Sequence, residues 1–224
     1  AGQSDPTRFD NKGKRLKNMF VEVFSHTKML NFTATGIAHW FVMIGFFALL
    51  GTLVTAYGQL INPTWALPII GHFVGYELFA EVIAALTGIG IVTLIAIRQV
   101  TRVVKSGRSS GSYGSGTLKA YYVEVTILAI VFCVVALRGL EGALLNKSGW
   151  NWHYAISYPA VLFFSKYSAT QIESLIQVIA FTKIVVSMVW FIVVGLNLNM
   201  GIAWHRFLAF FNIYFKKYPG KENA

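Results

Sequence analysis

Four apolar runs, at roughly 35–60, 68–97, 120–145 and 172–204, set what this chain can become. About 20 helical residues cross the hydrocarbon core of a bilayer. Inside it every backbone N–H and C=O must be bonded within its own segment, so such runs fold as spanning helices. The composition agrees. Of the 224 residues, 55% are hydrophobic and 12% charged, whereas a soluble domain carries about a quarter charged residues. The expected fold class is therefore all-α: a polytopic membrane helical bundle of four transmembrane helices.

The formal charge of +10 first suggests a nucleic-acid partner, but Lys and Arg gather at the ends of apolar runs. That is the pattern of membrane orientation. The partner it implies is the lipid bilayer, and no nucleic acid. Residues 1–30 carry six Lys and Arg, 98–119 carry five and 206–224 carry four. The 61–67 link carries none, and the aromatic 146–171 link only Lys147 and Lys166. The termini and the Ser/Gly-rich 98–119 link are thus expected on the cytoplasmic side, with the other two links outside. The Ser/Gly composition predicts a flexible link, and the aromatic one predicts a stretch at the membrane interface. The expected organisation is a cytoplasmic juxtamembrane segment (1–34), a membrane domain (35–215) and a cytoplasmic tail (216–224).

Within the first segment, Leu16, Met19, Phe20, Val23, Phe24 and Thr27 recur at helical spacing, with Lys14, Arg15 and Lys17 on or beside the opposite face. Two readings stay open, an amphipathic helix along the inner leaflet and an ordinary juxtamembrane segment. Cys133 is the single cysteine, so no intrachain disulfide or cysteine-held cluster can form within these residues. No signal peptide precedes the first basic stretch, and the chain starts at Ala1. It is expected to be a trimmed piece of something longer.

Ionisable and metal-ligating side chains in membrane segments are rare and usually functional. His39 lies eleven residues beyond Lys28, and His205 eleven before Lys216, so both imidazoles are expected at one depth near one face. Two neutral imidazoles at one level on different helices suit the axial positions of a haem iron. Gly36, Ala38 and Gly45 flank His39, Gly195, Gly201 and Ala203 precede His205, and small residues of this kind would admit a porphyrin. Trp40, Trp204, Phe207 and Phe210 would pack on it, with Arg206 beside the ligand. Against this, glycine and tryptophan are common in membrane helices, and an interfacial histidine is often a hydrogen-bonded polar tip. His72 and His153 offer a second, outer pair or two satisfied interfacial histidines, and His26 reads as a surface residue.

A second constellation is charged. Glu77 and Glu81 share a face of the second run, Arg138 lies in the third and Lys183 in the fourth, all in the outer half. Unpaired, each would cost about 2.5–3.5 kcal/mol, so mutual pairing is the economical reading. The sharper one is a quinone pocket, with Glu77 or Glu81 carrying protons and Lys183 or Arg138 on a quinone oxygen. Glu124 would reach a haem ligand as an outer partner. No phosphate loop, Ser/His/Asp arrangement or metalloprotease motif is present.

The stretches Gly-Ile-Ala-His-Trp-Phe-Val-Met-Ile-Gly-Phe-Phe (36–47) and Met-Gly-Ile-Ala-Trp-His-Arg-Phe-Leu-Ala-Phe-Phe-Asn (200–212) resemble the cytochrome b-like membrane region of actinobacterial iron–sulfur oxidoreductases. That region is related to the nitrate reductase gamma subunit and the heterodisulfide reductase membrane subunit. The resemblance implies a haem b domain in the bacterial plasma membrane. It would carry electrons between a cytoplasmic iron–sulfur domain or subunit, fed by electron-transfer flavoprotein, and menaquinone. His39 and His205 match the inner haem ligands. The gamma-subunit pattern sets a second haem's ligands at Leu49 and Ser187, neither of which ligates iron in the usual way, unless His72 replaces one. The family's additional first span and its cysteine-rich cluster domains have no counterpart here. The alternative from another class is a non-redox transporter subunit or membrane anchor, using the charged cluster as its pathway.

Overall fold

The computed structural model describes residues 5–25, 33–104, 116–145 and 149–217. His26, Thr27 and Lys28, residues 105–115 of the Ser/Gly-rich link and residues 218–224 of the tail lie outside them. Among the described residues there is helix and no strand. The α-helices are α1 (Lys12–Ser25), α2 (Thr33–Ala48), α3 (Leu50–Ile61), α4 (Val74–Val104), α5 (Thr117–Leu145), α6 (Tyr158–Phe164), α7 (Ala169–Leu196) and α8 (Gly201–Tyr214).

Three stretches are long and apolar enough to cross a membrane: Val74–Val100, Leu118–Leu145 and Ala169–Leu196. At 27 or 28 residues each rises about 40 Å, more than a bilayer core. The pair Ala34–Ala48 and Leu50–Ile61, bent by 41°, adds a fourth if both halves act as one span. Half or more of each long stretch lies outside the core. Phe132, Phe181, Ile192 and Val178 are among the large apolar side chains left facing out. A surface so apolar belongs in lipid rather than water.

The four segments close a ring. α2 packs on α4, α4 on α5, α5 on α7, and α7 on α3, which joins back to α2. Close approach of α2 and α4 needs small residues. A Cβ on Gly90 would stand 2.8 Å from the Ala38 carbonyl oxygen, and one on Gly45 would meet the Thr87 hydroxyl at 1.9 Å. This is the small-residue contact by which membrane helices pack without a hydrophobic driving force.

Three expectations change. The first run is not one straight helix. The Leu49 carbonyl accepts bonds from the Thr52 N–H (3.1 Å) and hydroxyl (2.6 Å), which tightens the turn and bends the axis. The fourth run, expected to continue from 172 to 204, stops at Leu196. Asn197 donates its amide to the Val193 carbonyl, and the Trp204 indole donates to those of Val194 and Asn197. The orphan carbonyls of α7 are thereby satisfied, and the chain restarts as α8. α7 also begins earlier than residue 172, because Ser168 and Gln171 form a reciprocal capping box. Finally, the aromatic 146–171 link is folded where it is described: a 3₁₀ turn at Trp152–Tyr154 precedes α6, which packs on α5.

α1 lies against α8. Leu16, Phe20 and Phe24 are exposed as an apolar face predicts. Arg15, expected on or beside the polar face, is instead the buried centre of the contact, 2% exposed. Its guanidinium donates to the backbone carbonyls of Thr7, Asp10, Tyr214 and Lys216. Helical spacing shows which residues share a face, not which carbonyls a neighbouring chain end brings to it.

Candidate functional site

His39 stands in the first half of α2, and His205 in the second turn of α8. The rings come to 5.7 Å between centroids at an interplanar angle of 46°. Metal–imidazole bonds of about 2.0 Å would set two axial rings roughly 6.3 Å apart across one metal, so the pair lies close to that separation. His205 Nδ1 bonds the Gly201 carbonyl at 3.2 Å. In that tautomer Nδ1 carries the proton and Nε2 the lone pair, the arrangement that prepares a histidine for a metal. Donor type and separation, with the tautomer of His205, are compatible with both imidazoles holding one metal.

Four contacts hold these helices together through α1. The Trp40 indole donates to the Phe24 carbonyl at 2.8 Å, linking α2 to α1. Arg15 links α1 to the end of α8, and Lys216 pairs with Glu22. Phe24 and Phe210 meet edge to face at 6.5 Å. α1 therefore braces both histidine-bearing helices, a role the sequence did not reveal for Arg15.

The neighbours expected around a porphyrin divide. Gly36 is buried in α2. Gly45 serves the contact with Thr87, and the Trp204 indole is occupied in capping α7. Glu124, expected as a ligand's outer partner, is instead 2.8 Å from Arg98 in the C-terminal part of α4. Arg206 places its guanidinium over the rings of Phe46 (4.4 Å) and Trp190 (5.2 Å). It lines a partly open cavity together with Gly45, Leu49, Lys183 and Ser187. Leu49 and Ser187, where the resemblance sets a second haem, do face one space. Among the described residues no imidazole lines it.

The charged cluster gathers at the opposite end. Arg138 donates to Glu77 (3.1 Å), to Glu81 (3.4 Å) and to Glu141, and also to the His153 carbonyl. Glu81 also accepts from the Ile156 and Ser157 N–H groups (2.8 and 3.1 Å) and the Ser157 hydroxyl (2.5 Å). Gln59 donates to Glu141 at 2.9 Å. His153 Nδ1 bonds Glu77, and the exposed His72 sits 3.8 Å from the same carboxylate. These two imidazoles thus converge on Glu77 rather than facing each other across a metal.

Lys183 does not join that network, contrary to the pairing expected from depth alone. It is 1% exposed, and its ammonium donates to the Thr52 carbonyl and hydroxyl, both at 2.7 Å, beside the bend. Depth gives a level in the bilayer but no direction around the helix. Glu141 and Gln59 were missed, although Glu141 follows Arg138 by three residues, a spacing that puts both on one helix face. No protein-family model, no curated protein and no solved structure matches the chain.

Proposed function

We propose that this chain is a haem b membrane domain passing electrons between a cytoplasmic iron–sulfur module, fed by electron-transfer flavoprotein, and menaquinone in a bacterial plasma membrane. The observation carrying the reading is the approach of His39 and His205, from separate helices, to 5.7 Å between ring centroids. Bound haem supplies one-electron transfer. The chain's own residues do the rest. His39 and His205 hold the iron, and the Gly201 carbonyl fixes the tautomer of one of them. Arg15 and Trp40 keep the helices of the two ligands together through α1. In this reading the bent α2–α3 pair is one of four spans. Both termini are cytoplasmic, as the charge distribution favours, and α1 lies along the inner leaflet with Leu16, Phe20 and Phe24 toward the acyl chains.

The transporter or anchor reading rests on Glu77, Glu81, Arg138 and Lys183. The bonds of those carboxylates to Arg138, Ser157 and His153 favour a structural network over an open pathway. A pyridine haemochrome assay on the purified membrane protein separates the two. One haem b per chain, with a b-type α band on reduction, is the expected result. Colourless, correctly folded protein refutes the reading.

A further inference from the structure

We infer that the cavity between Lys183 and Arg206 binds the head-group of a lipid-soluble quinone, with its two ring oxygens toward the two cations. The inference takes its substrate class from the proposed function and adds the site.

The walls are mostly aliphatic, among them Val42, Ile127, Ile130 and Val131, with Phe46 and Trp190 adding aromatic surface. Two cations interrupt them. Among the described residues no carboxylate lies within ion-pair distance of either. An ammonium has three protons to donate, and Thr52 takes two of those of Lys183. Arg206 meets aromatic faces, which satisfy its charge in part but accept no in-plane hydrogen bond. A ligand matched to this space is flat and apolar, has acceptor oxygens at opposite edges and carries no positive charge. Lys183 and Trp190, against which Arg206 packs, are seven residues apart on α7, a rise of about 10 Å. That span suits a fused two-ring quinone reached by both long side chains.

Lys183 has a second neighbour. Beyond it lies a second, smaller cavity, lined by Gln59, Glu77, Arg138 and Glu141. Among the described residues, Lys183 is the one side chain common to both spaces. Converting a quinone to its hydroquinone takes two electrons, here from a haem or iron–sulfur donor, and two protons. Lys183 is placed to pass one of these protons to the nearer ring oxygen and to regain it from the acidic chamber, while Arg206 stabilises charge on the farther oxygen until that oxygen takes the second proton from water.

The test titrates menadione into the full chain in detergent and follows tryptophan fluorescence, with Trp190→Phe identifying the reporter. A parallel optical spectrum records haem. Saturable quenching through Trp190 is expected. Affinity should weaken tenfold or more in Lys183→Met and in Ser187→Leu, which narrows the cavity without removing a charge, and should recover in Lys183→Arg. Quenching that is absent, equal in the folded variants, or abolished by competing phosphatidylglycerol overturns the inference. Haem without menadione binding sinks this site but not the proposed function. Menadione binding without haem does the reverse.

Discussion

Arg138 and Lys183 are both cations buried among apolar helices, yet removing them should have unlike consequences. Arg138 holds three carboxylates, Glu77, Glu81 and Glu141. Arg138→Met would leave them facing one another in a medium of low dielectric. Breaking a buried ion network from one side costs about 3–5 kcal/mol, so the variant should melt at a clearly lower temperature in detergent. Lys183 donates to Thr52, with no carboxylate within ion-pair distance among the described residues, and a buried charge replaced by an apolar side chain of similar length is often neutral or stabilising. Lys183→Met should therefore melt within a few degrees of the parent. Equal losses in the two variants would show that Lys183 shares the network after all. Of this cluster, Glu77, Glu81 and Arg138 were legible from position along the runs. The separate place of Lys183 was not, because it depends on which way α7 is rotated and on where α2 gives way to α3.

Helices are where sequence and structure part most instructively. The apolar runs announced α5 almost to its ends, whereas α4 begins at Val74 and continues to Val104, six residues later and seven further than the 68–97 run suggested. The stops at Leu49 and Leu196 were hidden because they are made by side chains that return to bond carbonyls, from Thr52 in one case and from Asn197 and Trp204 in the other. Hydropathy averages over such groups. α1 shows the same limit, for its spacing was legible but its buried arginine was not. Arg15→Ala would remove donors from four backbone carbonyls and should cost at least about 3 kcal/mol, since even two charged hydrogen bonds contribute roughly that much. Limited proteolysis should then cut within Lys12–Ser25 well before the bundle. Protection equal to the parent's would mean that α1 is held by its apolar contacts. Replacing Ser168 by alanine removes the capping box of α7 and should cost about 1 kcal/mol.

For the whole molecule, the ring of four segments places α1, the end of α8 and the His39–His205 pair at one end, and the Arg138 network at the other. If that axis is the membrane normal, with positive ends inside, a cysteine at Trp150 in a Cys133→Ala background should react with an impermeant maleimide on intact cells. A cysteine at Phe9 should react only after lysis. The reverse pattern would invert the topology and move the histidine pair to the outer face. The pair itself was legible from spacing alone, since two residues at equal distance from basic flanks lie at similar depth. That the rings also face the same space depends on α8 folding back after Asn197, which no spacing foretold.

The central proposal is that these two imidazoles share one iron. Low-temperature electron paramagnetic resonance of the oxidised protein, with its optical spectrum, addresses this directly in the parent, His39→Ala and His205→Ala. A low-spin ferric signal is expected in the parent, with its loss together with most of the bound haem in each variant, while Arg138→Met keeps the signal in whatever fraction folds. An unchanged low-spin signal in either histidine variant would contradict it.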